Sequence, residues 1–164
     1  MQFFTILRHH CCRSARMLAF AIVLFGVALQ LALSGEMPDF ARGKIALTSP
    51  NSAPLSFNVE FAVTPEERKY GLMHRTALKP RTGMLFIYNT DAVRHFWMKN
   101  TPLSLDIFFF SEDKILVHSV LATTPFSEGV ISSLVQARYV LELQTGSADR
   151  YGIEVGTVLE FLTR

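Results

Sequence analysis

The sequence predicts an all-β domain with one or two short helices, folded as an antiparallel sandwich or a partly closed barrel. Three observations predict it. "LSFNVEFAV" (55–63) alternates Leu55, Phe57, Val59, Phe61 and Val63 with polar residues, the period of a half-buried strand. Short apolar runs recur between turn signals such as "SPNSAP", "KPRTG" and "SEDK". Helix signals are confined to two brief spots, which leaves most of the chain to strands.

Taken in order, the chain opens on a targeting pattern. Arg8, Arg13 and Arg16 precede an apolar run, Met17 to Leu33, interrupted by Gln30, and Ala32 and Ser34 give a small-x-small pattern before Gly35. Residues 1–34 thus have the layout of a signal peptide. The run also reaches the low edge of a bilayer span, so an uncleaved membrane anchor over residues 17–33 is the alternative. Either reading places the remainder outside the cytoplasm, periplasmic or extracellular, because the arginines precede the run. "GEMPDFARG" (35–43) reads as a linker, and the domain as residues 44–164.

Within the domain, "KIALT" (44–48) is a strand candidate and 55–63 the next strand. Thr64, Pro65 and Glu67 form a capping box with proline at the first helical position, and Gly71 is placed to end the helix at about Tyr70. "MLFIY" (84–88) is a buried strand followed by an "NTDA" turn. "RHFWMKN" (94–100) and "LSLDIFFF" (103–110) are strands divided at Pro102, which cannot donate in a ladder. "SEDK" is a hairpin turn with "ILVHSVL" (115–121) as the return strand. Residues 122–135 read as irregular, "ARYVLELQ" (137–144) as a strand, "GSADRYG" as one helical turn and "TVLEFL" (157–162) as the last strand.

Charge and composition exclude several functions. The whole chain has 16 basic and 14 acidic residues, but residues 1–34 hold three of the basic ones and no acid, so the remainder carries a net charge of −1. No basic face for nucleic acid is expected. Membrane contact is expected only through the N-terminal segment, if that stays uncleaved. Cys11 and Cys12 both lie in that segment, so the domain has no thiol for a disulfide, a metal or a nucleophile. His74, His95 and His118 are scattered without ligand spacing, and no metal or cofactor is expected. No G-x-S-x-G, P-loop, G-x-G-x-x-G or H-E-x-x-H motif occurs.

The chemistry concentrates in "HFWMKNTPLSLDIFFF" (95–110), where Trp97, Lys99, Asn100 and Asp106 interrupt an apolar stretch. By strand parity Leu103, Leu105, Ile107 and Phe109 share one face, and Ser104, Asp106, Phe108 and Phe110 the other. A strand apolar on both faces buries Asp106, so the carboxylate needs a partner: Arg75 first, Lys99 second, or backbone amides. Alternation in "LEL" points Glu142 away from Leu141 and Leu143, toward solvent.

Three functional readings follow. The first is a binding module for a small polar ligand, a sugar or an anionic metabolite, in a groove near Trp97. Trp97 would stack on the ligand, Lys99 and Arg75 would meet an anionic group, Asn100 would orient it and Asp106 would hold Arg75. The second is an envelope enzyme using Asp106, Glu128 or Glu142 in acid–base chemistry. The third is a structural or assembly protein with exposed aromatics as its interface.

"GLMHRTAL", "GMLFIY", "FWMKNTPLSLDIFF", "ARYVLEL" and "GIEVG" resemble, in order and spacing, the DUF192 family, also called UPF0127. "PFSEGVISS" (125–133) resembles a loop in one branch of that family and adds Ser127 and Glu128 to the candidate ligand-binding residues. Relatives often have glycine and proline where this chain has Leu134 and Val135, and aspartate where it has Thr157. The resemblance implies a jelly-roll-like all-β domain, commonly exported, and supplies no activity.

Overall fold

The computed structural model describes residues 37–162. The elements are β1 (Ala41–Thr48), β2 (Leu55–Ala62), α1 (Pro65–Tyr70), β3 (Thr82–Phe96), β4 (Leu105–Phe110), β5 (Leu116–Val120), β6 (Ile131–Gln144), α2 (Ser147–Tyr151) and β7 (Val158–Leu162). The signal or anchor expected over residues 1–34 lies outside the described residues. Among the described residues no helix is long and apolar enough to cross a membrane.

The strands form one sheet in the order β5-β4-β6-β3-β2-β1-β7. It curls until its two edges meet at one end, where Ile115 bridges Val158. There the Leu116 N–H donates to Thr157 O at 2.8 Å, and the Leu159 N–H to Lys114 O at 2.9 Å. The fold is thus all-β and partly closed. One pair departs from the antiparallel expectation: β2 and β3 run parallel. Here α1 and the segment after it carry the chain back, so β3 enters from the same end as β2.

Local chemistry explains most element limits. The capping box forms as read: Glu67 N–H donates to Thr64 Oγ1 at 3.2 Å, and Thr64 N–H to Glu67 Oε2 at 2.8 Å. Gly71 ends α1 at φ 51°. Other limits differ from the sequence expectation. β1 starts at Ala41, so residues 41–43 of the expected linker are strand, with Arg42 opposite Glu60. β3 runs through "NTDA" because β6 pairs with it on both sides of a register shift between Ile87 and Ala92. β6 correspondingly begins at Ile131, within the segment expected to be irregular. Its bulge places Leu134 at φ 59°, a left-handed conformation that costs a side chain about 1–2 kcal/mol.

Alternation along the strands builds two cores on the two faces of the sheet. The inner one joins Ile45, Leu47, Phe57, Leu85, Phe108, Phe110, Leu141 and Leu159, with Ala148 of α2 and Ile153 against it. The outer one joins Ala62, Leu72, Met84, Phe86, Met98, Leu105, Ile107, Phe109 and Val140. All six residues of β4 are buried, because this strand feeds both cores.

Candidate functional site

Asp106 is 1% exposed, as its place in β4 requires. The expected ion pair with Arg75 does not form. Instead Asp106 Oδ2 accepts the Ala148 N–H and Oδ1 the Ala122 N–H, both at 3.0 Å. The reason lies in α2, whose N-cap is Gly146, with no side chain to cap the helix. Asp106 supplies the missing acceptor from the neighbouring strand, where a negative charge also suits the helix start. Asp106 therefore holds α2 against the barrel end, not Arg75 against a ligand.

Arg75 turns the other way. Its Nη2 meets Glu60 Oε2 at 2.6 Å, and its guanidinium carbon lies 5.8 Å from the centre of the Phe40 ring. Glu60 Oε1 also accepts from Arg42 Nη2 at 3.2 Å, so one carboxylate serves two guanidinium groups. Arg75 Nε is buried and meets no acceptor among the described residues.

The other sequence candidates gather in a second place. The Met98 N–H donates to Ser127 O at 2.8 Å, the Phe126 N–H to Thr101 O at 3.0 Å, and the His74 N–H to Asn100 O at 2.8 Å. Three loops thereby converge, and the expected strand 94–100 ends at Phe96 because residues 97–101 turn toward the 123–129 loop. Trp97 is 44% exposed. Lys99 Nζ lies 5.1 Å from the Trp97 ring centre and 3.8 Å from Glu128 Oε1. Lys99 is thus engaged with its neighbours. Asn100 adopts φ 54° and directs its amide to Met73 Sδ at 3.9 Å. Ser127 Oγ accepts the Gly129 N–H at 3.2 Å and so shapes its own loop.

Glu142 overturns the solvent-face reading. It does point away from Leu141 and Leu143, but into the outer core, in register with Met84 of β3 and Ile107 of β4. It is 5% exposed, and burial alone pushes its carboxyl up to about 8.

A broad concavity lies over β1, β2 and the start of β3, with residues 75–79 forming part of its lining. This groove has a volume of about 1010 Å³. Arg42, Lys44, Arg75 and Lys79 line it against a single acid, Glu60, while Leu78, Phe161 and Leu162 supply apolar surface. Among the described residues neither lysine pairs with a carboxylate. Arg75 alone of these had been singled out from the sequence. The available signal was the polar face of β2, where Asn58 and Glu60 share a side.

Comparisons agree with this fold. The profile of the DUF192 family, described as "Uncharacterized ACR", matches residues 46–161. A solved structure from Sinorhizobium meliloti 1021, described as a candidate transcription regulator, is 35% identical with a TM-score of 0.74, covering 77% of this chain and 98% of that one. A protein of unknown function from Novosphingobium aromaticivorans DSM 12444 is 32% identical with a TM-score of 0.71, covering 78% and 88%. No curated protein matches the chain significantly.

Proposed function

This chain belongs to the DUF192 family, and we propose that it is an exported module that binds a small anionic ligand in the groove over β1 and β2. One observation carries the reading: a groove of ligand size lined by four basic side chains and one acidic one. Glu60 holds Arg42 and Arg75 in place, a pre-organisation that lowers the cost of binding. Among the described residues Lys44 and Lys79 have no such partner, and they add positive field at the rim. Phe161 and Leu162 suit a ligand with an apolar part beside its acid group. The reading moves the ligand from Trp97 to Arg75, because Lys99 already lies across Trp97 and pairs with Glu128.

The enzyme reading is less favoured. Asp106 and Glu142 are one position out of register on the paired β4 and β6, so their carboxyls face opposite sides of the sheet. Export rests on the arginine-then-apolar start of the sequence, and N-terminal sequencing after cell fractionation tests it. A mature start near residue 35 supports the signal, an intact membrane-bound chain supports the anchor, and a full-length cytosolic chain rejects both.

Thermal unfolding with a panel of carboxylates, uronic acids and phosphate esters tests the groove. Binding to the folded state raises the melting temperature by mass action. An anionic compound is expected to raise it, and the Lys44→Glu, Lys79→Glu double variant to lose that rise. Equal shifts with neutral sugars, an unchanged shift in the double variant, or no shift with any anion would reject the proposal. Duplex DNA serves as the control for a regulator-like role.

A further inference from the structure

A smaller recess of about 30 Å³ opens on the outer face of the sheet, large enough for one or two water-sized groups. Arg68, Lys69, Phe86, Phe96, Trp97 and Glu142 are among its lining residues, and it shares none with the basic groove. Glu142 is the unusual member. A carboxyl removed from water normally has a hydrogen bond or a cation to hold it. Among the described residues no hydrogen bond or ion pair reaches this one.

The charged and titratable groups around the recess, the exposed Lys69 apart, are otherwise engaged. From α1, Arg68 donates to the carbonyls of Val63 and Ile87 and lies over the Tyr88 ring, and Lys69 is exposed. From β3, Tyr88 is flanked by Arg68 and by Arg94, whose guanidinium carbon sits 3.8 Å from the ring centre. From the 97–101 loop, Lys99 is held by Trp97 and Glu128. β4 presents only Leu105, Ile107 and Phe109 on this face. None of these cations offsets the burial of Glu142.

We propose that this recess receives the ammonium end of a primary amine, with the Glu142 carboxylate as its counter-ion and the Trp97 and Phe96 rings as its walls. An ammonium group is about the size of a water molecule, so it fits where a sugar ring does not. Aromatic faces attract cations, and the attraction grows when both partners leave water. Lys99 also lies near Trp97, but it does not line the recess and its charge is met by Glu128. The carboxylate rejects anions from the same recess. Occupation requires Glu142 to be ionised, so its proton passes to solvent as the ammonium enters.

Trp97 is the only tryptophan of the chain and reports binding through its fluorescence. The full-length chain is titrated with n-propylammonium chloride at about pH 6 and pH 9, at constant ionic strength, with 1-propanol as the neutral control. Saturable binding is expected to tighten at least about tenfold between the two pH values. The near-isosteric Glu142→Gln variant is expected to weaken it at least about tenfold at the higher pH. Calorimetry of the unmodified chain at neutral pH, in buffers of different ionisation enthalpy, is expected to show close to one proton released per ammonium bound. Equal binding of 1-propanol, pH-independent affinity, retained binding in the variant, absent proton release or no saturable binding would each overturn the proposal.

Discussion

Asp106 and Glu142 are two carboxyl groups on adjacent strands, both withdrawn from water, and they meet opposite fates. Asp106 faces inward and accepts two backbone amides; Glu142 faces outward into an apolar layer and accepts none. Replacing Asp106 by Asn turns one acceptor into a donor aimed at an amide. Urea unfolding is expected to show a loss of about 1.5–3 kcal/mol, the range for a hydrogen bond to a charged group. Arg75→Met removes a partly exposed ion pair with Glu60, which keeps Arg42, and is expected to cost about 1 kcal/mol or less. The two residues share no partner and serve opposite faces of the sheet, so the double variant should cost the sum of the singles to within about 0.5 kcal/mol. A clearly smaller cost would restore the direct pairing that the sequence suggested.

At the scale of elements, β6 carries an acid whose folded value of about 8 stands above its ordinary 4.5. Between those values the folded chain keeps a proton that the unfolded chain has released. Stability from this group is therefore full below about pH 4.5 and is lost as pH rises through 8, by about 1.4 kcal/mol per unit and about 5 kcal/mol in all. Chemical denaturation at pH 5, 6.5 and 8 should show that decline, and Glu142→Gln should flatten it. The same slope in the variant would assign it to other groups. Strand parity identified the face that Glu142 occupies, but not that α1 and the 97–104 segment would cover that face. Arg75 suffered similarly, since its partner Glu60 lies on a strand that the local pattern could not set beside it. β2, α1 and the β4–β5 hairpin were legible because alternation, a capping box and a turn signal are all local. β3 through "NTDA", and the early start of β6, were not, because ladder pairing between distant segments overrode the turn residues.

At the scale of the whole molecule, the sheet becomes a barrel only where its edges meet, and Thr157 is the pin. Its hydroxyl lies 2.9 Å from Ser49 Oγ, accepts the Glu154 N–H at 3.1 Å and donates to Glu154 O at 2.7 Å, while its own carbonyl receives Leu116. Thr157→Val keeps the shape and strands those partners. A stability lowered by about 1–3 kcal/mol, seen as a lower unfolding midpoint with an unchanged denaturant slope, is expected; an unmoved midpoint would mean that closure does not depend on the hydroxyl. The pairing of β1 with β7 has a further consequence, in time. Thr48 lies opposite Val158, so the domain's first strand finds its edge partner about 110 residues later. A ribosome adding about 5–20 residues per second needs roughly 5–20 s to cover that interval. Throughout it β1 has an unpaired edge, and the sheet's most distant contacts cannot form. The chain is therefore slow to become committed to its fold during synthesis, which leaves a window in which other machinery can handle it unfolded.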